Sequence, residues 1–205
     1  MSNIGFFGGT FNPPHLAHKR LALHFQKEAD LDKILVVPTF VPPHKAAAML
    51  APGEDRLAMC RLLFREDIFS VSDMELRRKG KSYSFDTLTE LKRVYPDDKL
   101  FMIIGSDMLL SFHQWYRYRD ILGLVTLCAA SRDGKEGADK LSDYAASVLG
   151  LDSAKGEIII SVLPPVELSS TQIRRMITDG ENAEEYLGKE VSDYIKKRDL
   201  YHELS

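Results

Sequence analysis

Short runs of apolar and β-branched residues alternate with segments of helical spacing along the whole chain. This alternation constrains the fold more than any other feature. Residues 3–7 (Asn-Ile-Gly-Phe-Phe), 34–37 (Ile-Leu-Val-Val), 68–76, 100–104 (Leu-Phe-Met-Ile-Ile), 124–130 and 158–162 read as strands. Between them, Leu21, Ala22, Phe25 and Ala29 fall at helical spacing within 15–29, and Leu57, Cys60, Leu63 and Phe64 mark a second helix. Leu88 and Leu91 mark a third, with Ser84 as its candidate cap and Pro96 beyond its end. Residues 138–149 make a fourth helix, Ser169 opens a fifth, and Val191, Tyr194 and Ile195 share one face of the last. Pro42, Pro43, Pro52 and Gly53 make 39–53 an irregular loop, and 132–137 read as a turn. Strand and helix in alternation predict a mostly parallel sheet with helices on both faces. Ligands of such a sheet collect at the carboxyl ends of its strands, where the strand order reverses. With no repeat and no linker, residues 1–205 read as one domain, its C-terminal helical part (about 165–205) packed on the rest.

The chain's net charge of −3 gives no general attraction to nucleic acid, so a bound anion must be held by a local cluster of donors. No apolar stretch approaches the roughly 18 residues of a membrane span, and Met1-Ser2-Asn3-Ile4-Gly5 lacks the layout of a signal peptide. The expectation is a cytoplasmic protein with no nucleic-acid or membrane partner; a homo-oligomer is compatible with it. The two cysteines, Cys60 and Cys128, fit buried thiols and have no metal-site spacing.

The segment Gly8-Gly9-Thr10-Phe11-Asn12-Pro13-Pro14-His15-Leu16-Ala17-His18 follows the first strand and opens the first helix. Glycines there let backbone approach a ligand, and the N–H groups of a helix start attract anions. His15 and His18, three residues apart, fall on one face of the first helical turn, where imidazoles can donate to phosphoryl oxygens as charge develops. No third ligand stands nearby for a metal, and the ending of a Walker loop is missing. Far along the chain, Ser169-Ser170-Thr171-Gln172-Ile173-Arg174 matches a capping box, which starts a helix and also suits a phosphate.

The first of these segments resembles the Gly-Gly-Thr-Phe-Asp-Pro-x-His-x-Gly-His signature of bacterial nicotinate-nucleotide adenylyltransferases, within the (His/Thr)-x-Gly-His nucleotidyltransferases. Asn12 stands in place of Asp and Ala17 in place of Gly. Further matches follow in the family order. Pro42-Pro43-His44-Lys45 resembles its Pro-Pro-His-Lys, and residues 78–88 resemble its Arg-x-Gly-x-Ser-Tyr-Thr-x-Asp-Thr-Leu, with Ser84 for Thr. Gly105-Ser106-Asp107 with Trp115 resembles its Gly-x-Asp and later Trp, and 168–174 resemble Ile-Ser-Ser-Thr-x-Ile-Arg, with Leu168 for Ile. Ser131-Arg132 stands where an Arg-Pro pair is frequent.

The resemblance implies a Rossmann-like, doubly wound α/β fold and transfer of AMP from ATP to nicotinic acid mononucleotide, a step of NAD biosynthesis. It implies that His15, His18, Lys45 and Arg174 act in catalysis. ATP would be held by Gly8, Gly9, Thr10, Phe11, His15, His18, Gly105, Asp107, Ser169, Ser170, Thr171 and Arg174. The acceptor would be held by His44, Lys45, Tyr83, Ser84, Asp107 and Trp115. Mg²⁺ would arrive with ATP rather than on dedicated protein ligands. Two alternatives differ in kind. One is a related enzyme with another acceptor, nicotinamide mononucleotide or phosphopantetheine, or a cytidylyltransferase using CTP. A phosphopantetheine enzyme usually has Thr in place of His15 and lacks the 78–88 and Pro-Pro-His-Lys motifs. The other is a non-catalytic nucleotide-binding module, which binds ATP without turnover.

Overall fold

A computed structural model describes residues 1–42, 49–131, 133–164 and 169–202. Their elements, in chain order, are β1 (Asn3–Gly9), α1 (Leu16–Glu28), β2 (Lys33–Pro38), α2 (Gly53–Leu63), β3 (Phe69–Val71), α3 (Met74–Arg78), α4 (Ser84–Val94) and β4 (Lys99–Gly105). They continue with α5 (Ser106–Leu110), α6 (Tyr118–Leu122), β5 (Thr126–Ser131), α7 (Gly134–Tyr144), β6 (Ile158–Val162), α8 (Ser170–Thr178), α9 (Glu184–Leu187) and α10 (Lys189–Arg198).

The strands form one six-stranded sheet in the order β3-β2-β1-β4-β5-β6, the Rossmann-like α/β arrangement that the alternation predicts. β1 pairs parallel with β4 (Phe6 opposite Met102), β4 with β5 (Ile103 opposite Cys128) and β5 with β6 (Cys128 opposite Ile159). The chain runs outward from β1 to β3, returns to β4 beside β1, and runs outward the other way, so the order reverses between β1 and β4. The carboxyl ends of β1 and β4, Gly8-Gly9 and Gly105, flank that switch point, where open α/β sheets take their ligands. β4 is a continuous apolar run because five successive residues, Leu100–Ile104, are buried on both faces of the sheet.

Two compact units divide the chain. The first takes in Met1–Gly8, Leu21–Leu35 and Tyr83–Val166; the second takes in Gly9–Arg20, Val36–Ser82 and Glu167–Ser205. In the first, the core is built on β4 and β5 with Leu88, Leu109, Phe112 and Ile121 packed in. In the second, α10 packs on α2; Val191 and Ile195, four residues apart, supply its buried stripe. Cys60 and Cys128 are buried free thiols, and burial raises both pKa values, that of Cys128 to about 12. No helix among the described residues is long and apolar enough to cross a membrane.

Three local expectations are corrected. Residues 68–76 are not one strand: β3 is three residues long, and Ser72 Oγ accepts the Met74 N–H at 3.3 Å as the chain turns into α3. Asp73 then pairs with Arg77 along that helix (3.0 Å). Ser84 is the first residue of α4 rather than its cap; Tyr83 holds that position, and its carbonyl accepts the N–H groups of Asp86 and Thr87. Residues 134–137 are helical, because α7 begins at Gly134, and its regular part ends at Tyr144, followed by a wider π turn over 145–149. A Cβ at Gly137 would lie 2.2 Å from Ser131 Oγ, so glycine at that position lets α7 start close against the end of β5.

Candidate active site

The second unit gathers the phosphate-binding candidates. Past Gly9, Phe11 takes a left-handed backbone (φ 49°), an uncommon state for a bulky residue that persists only where surroundings fix it. Its buried ring is wedged edge-on between His18 (centroids 5.2 Å) and Phe64 (6.0 Å). His15 directly precedes α1 instead of lying in its first turn, and is buried, while His18 is partly exposed. The two rings are nevertheless in contact, with centroids 3.7 Å apart. The His15 backbone N–H donates to His18 Nδ1 (3.1 Å). A ring nitrogen that accepts a hydrogen bond carries no proton, so the His18 proton sits on Nε2, which is therefore a donor.

The start of α8 joins the same segment. Ser170 Oγ donates to the Pro13 carbonyl (2.9 Å), and Arg174 Nη1 donates to the Asn12 carbonyl (2.7 Å). Arg174 Nη2 reaches Thr171 Oγ1 (3.3 Å). Ser169 caps the helix: its Oγ accepts the Gln172 N–H (3.3 Å), and Gln172 Oε1 accepts the Ser169 N–H (2.8 Å). The serine hydroxyls are thus engaged inside the protein. What α8 can present to an anion is the backbone N–H groups of Ser170 and Thr171, which have no intrahelical acceptor, and the remaining donors of Arg174. Burial lowers the Arg174 pKa, partly offset by Tyr201.

Arg56 carries no motif, yet it ties this unit together. Its side chain, 1% exposed, donates to three main-chain carbonyls: Thr10 in the cradle (2.8 Å), Ala51 (3.0 Å) and Phe40 (3.3 Å). Phe40 and Ala51 lie on either side of residues 43–48 in sequence, so one guanidinium ties the cradle to both flanking segments. Sequence reasoning gave no role to Arg56 or Tyr201 and read Asn12 only as a departure from the family's Asp, because a side chain whose partner is far along the chain leaves no spacing pattern. His44, Lys45 and Arg132 lie outside the described residues.

The first unit holds Gly8, Gly105 and Asp107 of the ATP candidates and Tyr83, Ser84, Asp107 and Trp115 of the acceptor candidates. Gly105 ends β4 and Asp107 lies in the first turn of α5. A Cβ at Gly105 would sit 2.8 Å from Asp107 Oδ1, so glycine leaves room for that carboxylate. Tyr83, before α4, packs on Tyr116 (centroids 4.7 Å), and Trp115 packs on buried Phe112 (4.9 Å). Arg117 stacks over the Phe85 ring at 3.8 Å. These contacts hold the start of α4 beside the 115–117 segment, so Tyr83, Ser84 and Trp115 come within one neighbourhood.

Comparison with known proteins shows the family and the fold. The family described as cytidylyltransferase-like matches residues 6–176. A probable nicotinate-nucleotide adenylyltransferase of Shouchella clausii is 38% identical over 204 residues, covering 98% of this chain and 97% of that protein. A protein of the same description from Geobacter sulfurreducens is 37% identical over 209 residues, covering 96% and 97%. Among solved structures, Plasmodium falciparum nicotinic acid mononucleotide adenylyltransferase complexed with NaAD matches with a TM-score of 0.74 at 17% identity over 98% of each chain, a likeness of fold.

Proposed function

This chain belongs to the cytidylyltransferase-like family, and we infer that it transfers the adenylyl group of ATP to nicotinic acid mononucleotide, releasing pyrophosphate and forming nicotinic acid adenine dinucleotide for NAD biosynthesis. The observation that carries the reading is the seating of the α8 start on the cradle that bears both histidines, through Ser170 to Pro13 and Arg174 to Asn12. Two donor sets that are far apart in sequence thereby serve one anion. The cytoplasm is the compartment we assign to it.

In the reaction, an oxygen of the acceptor's 5′-phosphate attacks the α-phosphorus of ATP in line. One P–O bond forms as the bond to pyrophosphate breaks, and no covalent enzyme intermediate is needed. Catalysis is then positioning plus stabilisation of charge on the phosphoryl oxygens. His18, through Nε2–H, and His15 take the α- and β-phosphate side. Arg174 and the α8 N–H groups take the β- and γ-phosphates, and Lys45 assists at the transferring group. Gly8, Gly9, Thr10 and Phe11 shape the cradle, and Asp107 accepts from ribose hydroxyls. Mg²⁺ would be carried in with ATP, where it would offset the charge of the triphosphate. On the acceptor side, the N–H groups at the start of α4, with Tyr83 and Ser84, face the nicotinate carboxylate, and Trp115 stacks on the pyridine ring. Nicotinamide offers no negative charge to that helix start, so its mononucleotide is the poorer acceptor.

The test supplies Mg-ATP with nicotinic acid mononucleotide, nicotinamide mononucleotide or phosphopantetheine and identifies the product by mass. Nicotinic acid adenine dinucleotide as the main product is expected. Faster turnover of another acceptor, or ATP binding without turnover, overturns the reading. A narrower prediction concerns Asp107. Gly105→Ala pushes its carboxylate aside, and the loss of one hydrogen bond of about 1 kcal/mol should raise a substrate KM roughly fivefold. The melting temperature should hold within about 2 °C, since the displaced group is exposed. An unchanged KM for both substrates removes Asp107 from the site.

A further inference from the structure

We propose that Asn12 is a positioning residue for this reaction, locking Met49, Ala51, Tyr201 and Arg174 onto the phosphate cradle through its side-chain amide and its own carbonyl. The proposal rests on the adenylyl-transfer reading and deepens it.

Asn12 is 3% exposed, and both side-chain polar atoms and its main-chain carbonyl are bonded. Nδ2 donates to the Met49 carbonyl (3.0 Å). Oδ1 accepts the Ala51 N–H (3.0 Å) and the Tyr201 hydroxyl (2.9 Å). The main-chain carbonyl accepts Arg174 Nη1 (2.7 Å). Three of these four partners are held from another side. The Ala51 carbonyl takes Arg56 Nε (3.0 Å), and Thr178 Oγ1 lies 3.0 Å from the Arg174 carbonyl and 2.9 Å from the Tyr201 carbonyl. The amide thus stands where the strand end, the flank of the Pro-rich loop and α8 with the tail after it converge.

The chemistry asks for an amide. One planar group must donate once and accept twice at the same time, which asparagine does and a carboxylate does not. An aspartate here sets an oxygen against the Met49 carbonyl, and alanine leaves a buried N–H, a carbonyl and a hydroxyl without partners. The main-chain carbonyl that accepts Arg174 survives such a substitution, but the side chain also holds Tyr201, whose carbonyl shares Thr178 Oγ1 with that of Arg174, so its loss lets α8 and Arg174 shift relative to His15 and His18. Misplacement of reacting groups by about 1 Å costs as much as 10²-fold in rate.

The experiment is steady-state kinetics of the full chain with Mg-ATP and nicotinic acid mononucleotide, run on Asn12→Ala, Asn12→Asp, Tyr201→Phe and Arg174→Ala, and on the double variants with Arg174→Ala. Thermal melting accompanies each. For Asn12→Ala we expect kcat to fall roughly 10- to 100-fold with acceptor KM within about threefold, and Asn12→Asp to recover only part of that. The Asn12→Ala/Arg174→Ala double variant should be about as slow as the slower single one, because both act on one placement. A kcat for folded Asn12→Ala within twofold of wild type, or rate losses that multiply in the double variant, overturns the proposal. Should Asn12→Ala fail to fold, Tyr201→Phe, which removes one O–H, carries the same cycle with the same two outcomes. A wild-type chain that makes no dinucleotide defeats the adenylyl-transfer reading; a wild type that turns over beside equally active variants defeats the positioning role alone.

Discussion

His18→Ala is expected to lower kcat for dinucleotide formation by about 10²–10³, the usual effect of removing one preorganised donor to a charged transition state. The argument rests on orientation. A backbone N–H from His15 fills Nδ1, so the proton is on Nε2, and the Phe11 ring at 5.2 Å restricts how the imidazole turns. A donor held this way needs no reorganisation when charge develops on the phosphoryl group. The cost to the fold is far smaller. His18 is partly exposed, and its loss leaves one N–H unsatisfied, about 1 kcal/mol. His18→Gln places a donor near the Nε2 position without the Nδ1 acceptor, and its rate should fall between wild type and alanine. Rapid-quench or steady-state kinetics with circular dichroism as the fold control decides the matter. A folded His18→Ala variant within threefold of wild type removes the histidine from the mechanism.

The sheet was legible because a strand such as Leu100–Ile104 is a bounded apolar run, and burial on both faces of a parallel sheet demands that composition. The edge strand Ile158–Val162, buried only at Ile158, was legible from its β-branched residues. The α8 start was legible for a different reason: a capping box is a local contract between Ser169 and Gln172, and both halves formed. The misread places were those where local pattern is ambiguous. Phe69 to Leu76 mixes apolar and polar residues at a spacing that suits a strand, yet Ser72 and Asp73 turn the chain into a helix. Gly134 and Gly137 signalled a turn, but both belong to α7: Gly134 opens it with a left-handed backbone (φ 64°), and Gly137 packs where Ser131 leaves no room for a side chain.

The histidines and the serine-rich helix start could be found from sequence because each has fixed local spacing. Their supports could not. Asn12 to Tyr201 spans 189 residues and Arg174 to Asn12 spans 162, and in each case backbone or a single hydroxyl is the partner. Such bonds are chosen by topology, after the sheet has brought the segments together. Sequence therefore exposes the groups that meet the substrate more readily than those that hold them.

Arg56 is the sharpest case, and Arg56→Ala should have the largest effect on stability of any single change considered. The guanidinium is buried, and burial pushes its pKa down, partly offset by the neighbouring Tyr201, Cys60 and Glu75. It is retained because its planar fork meets three carbonyls in three directions, those of Thr10, Ala51 and Phe40. Alanine leaves those carbonyls without their donor, opens a cavity, and removes a positive charge near buried Glu75, whose Oε1 is 3.9 Å from Arg78. Leaving such groups unpaired costs about 3–5 kcal/mol. At this chain length the corresponding fall in melting temperature is roughly 10 °C. Arg56→Lys keeps the charge but supplies a point donor on a flexible stem, so it should recover less than half of the loss. Urea unfolding read by tryptophan fluorescence, with Trp115 as the reporter, measures both. If Arg56→Ala unfolds within about 1 kcal/mol of wild type, the three carbonyls find water or other donors at little cost, and Arg56 is not what fixes the cradle to the loop flanks.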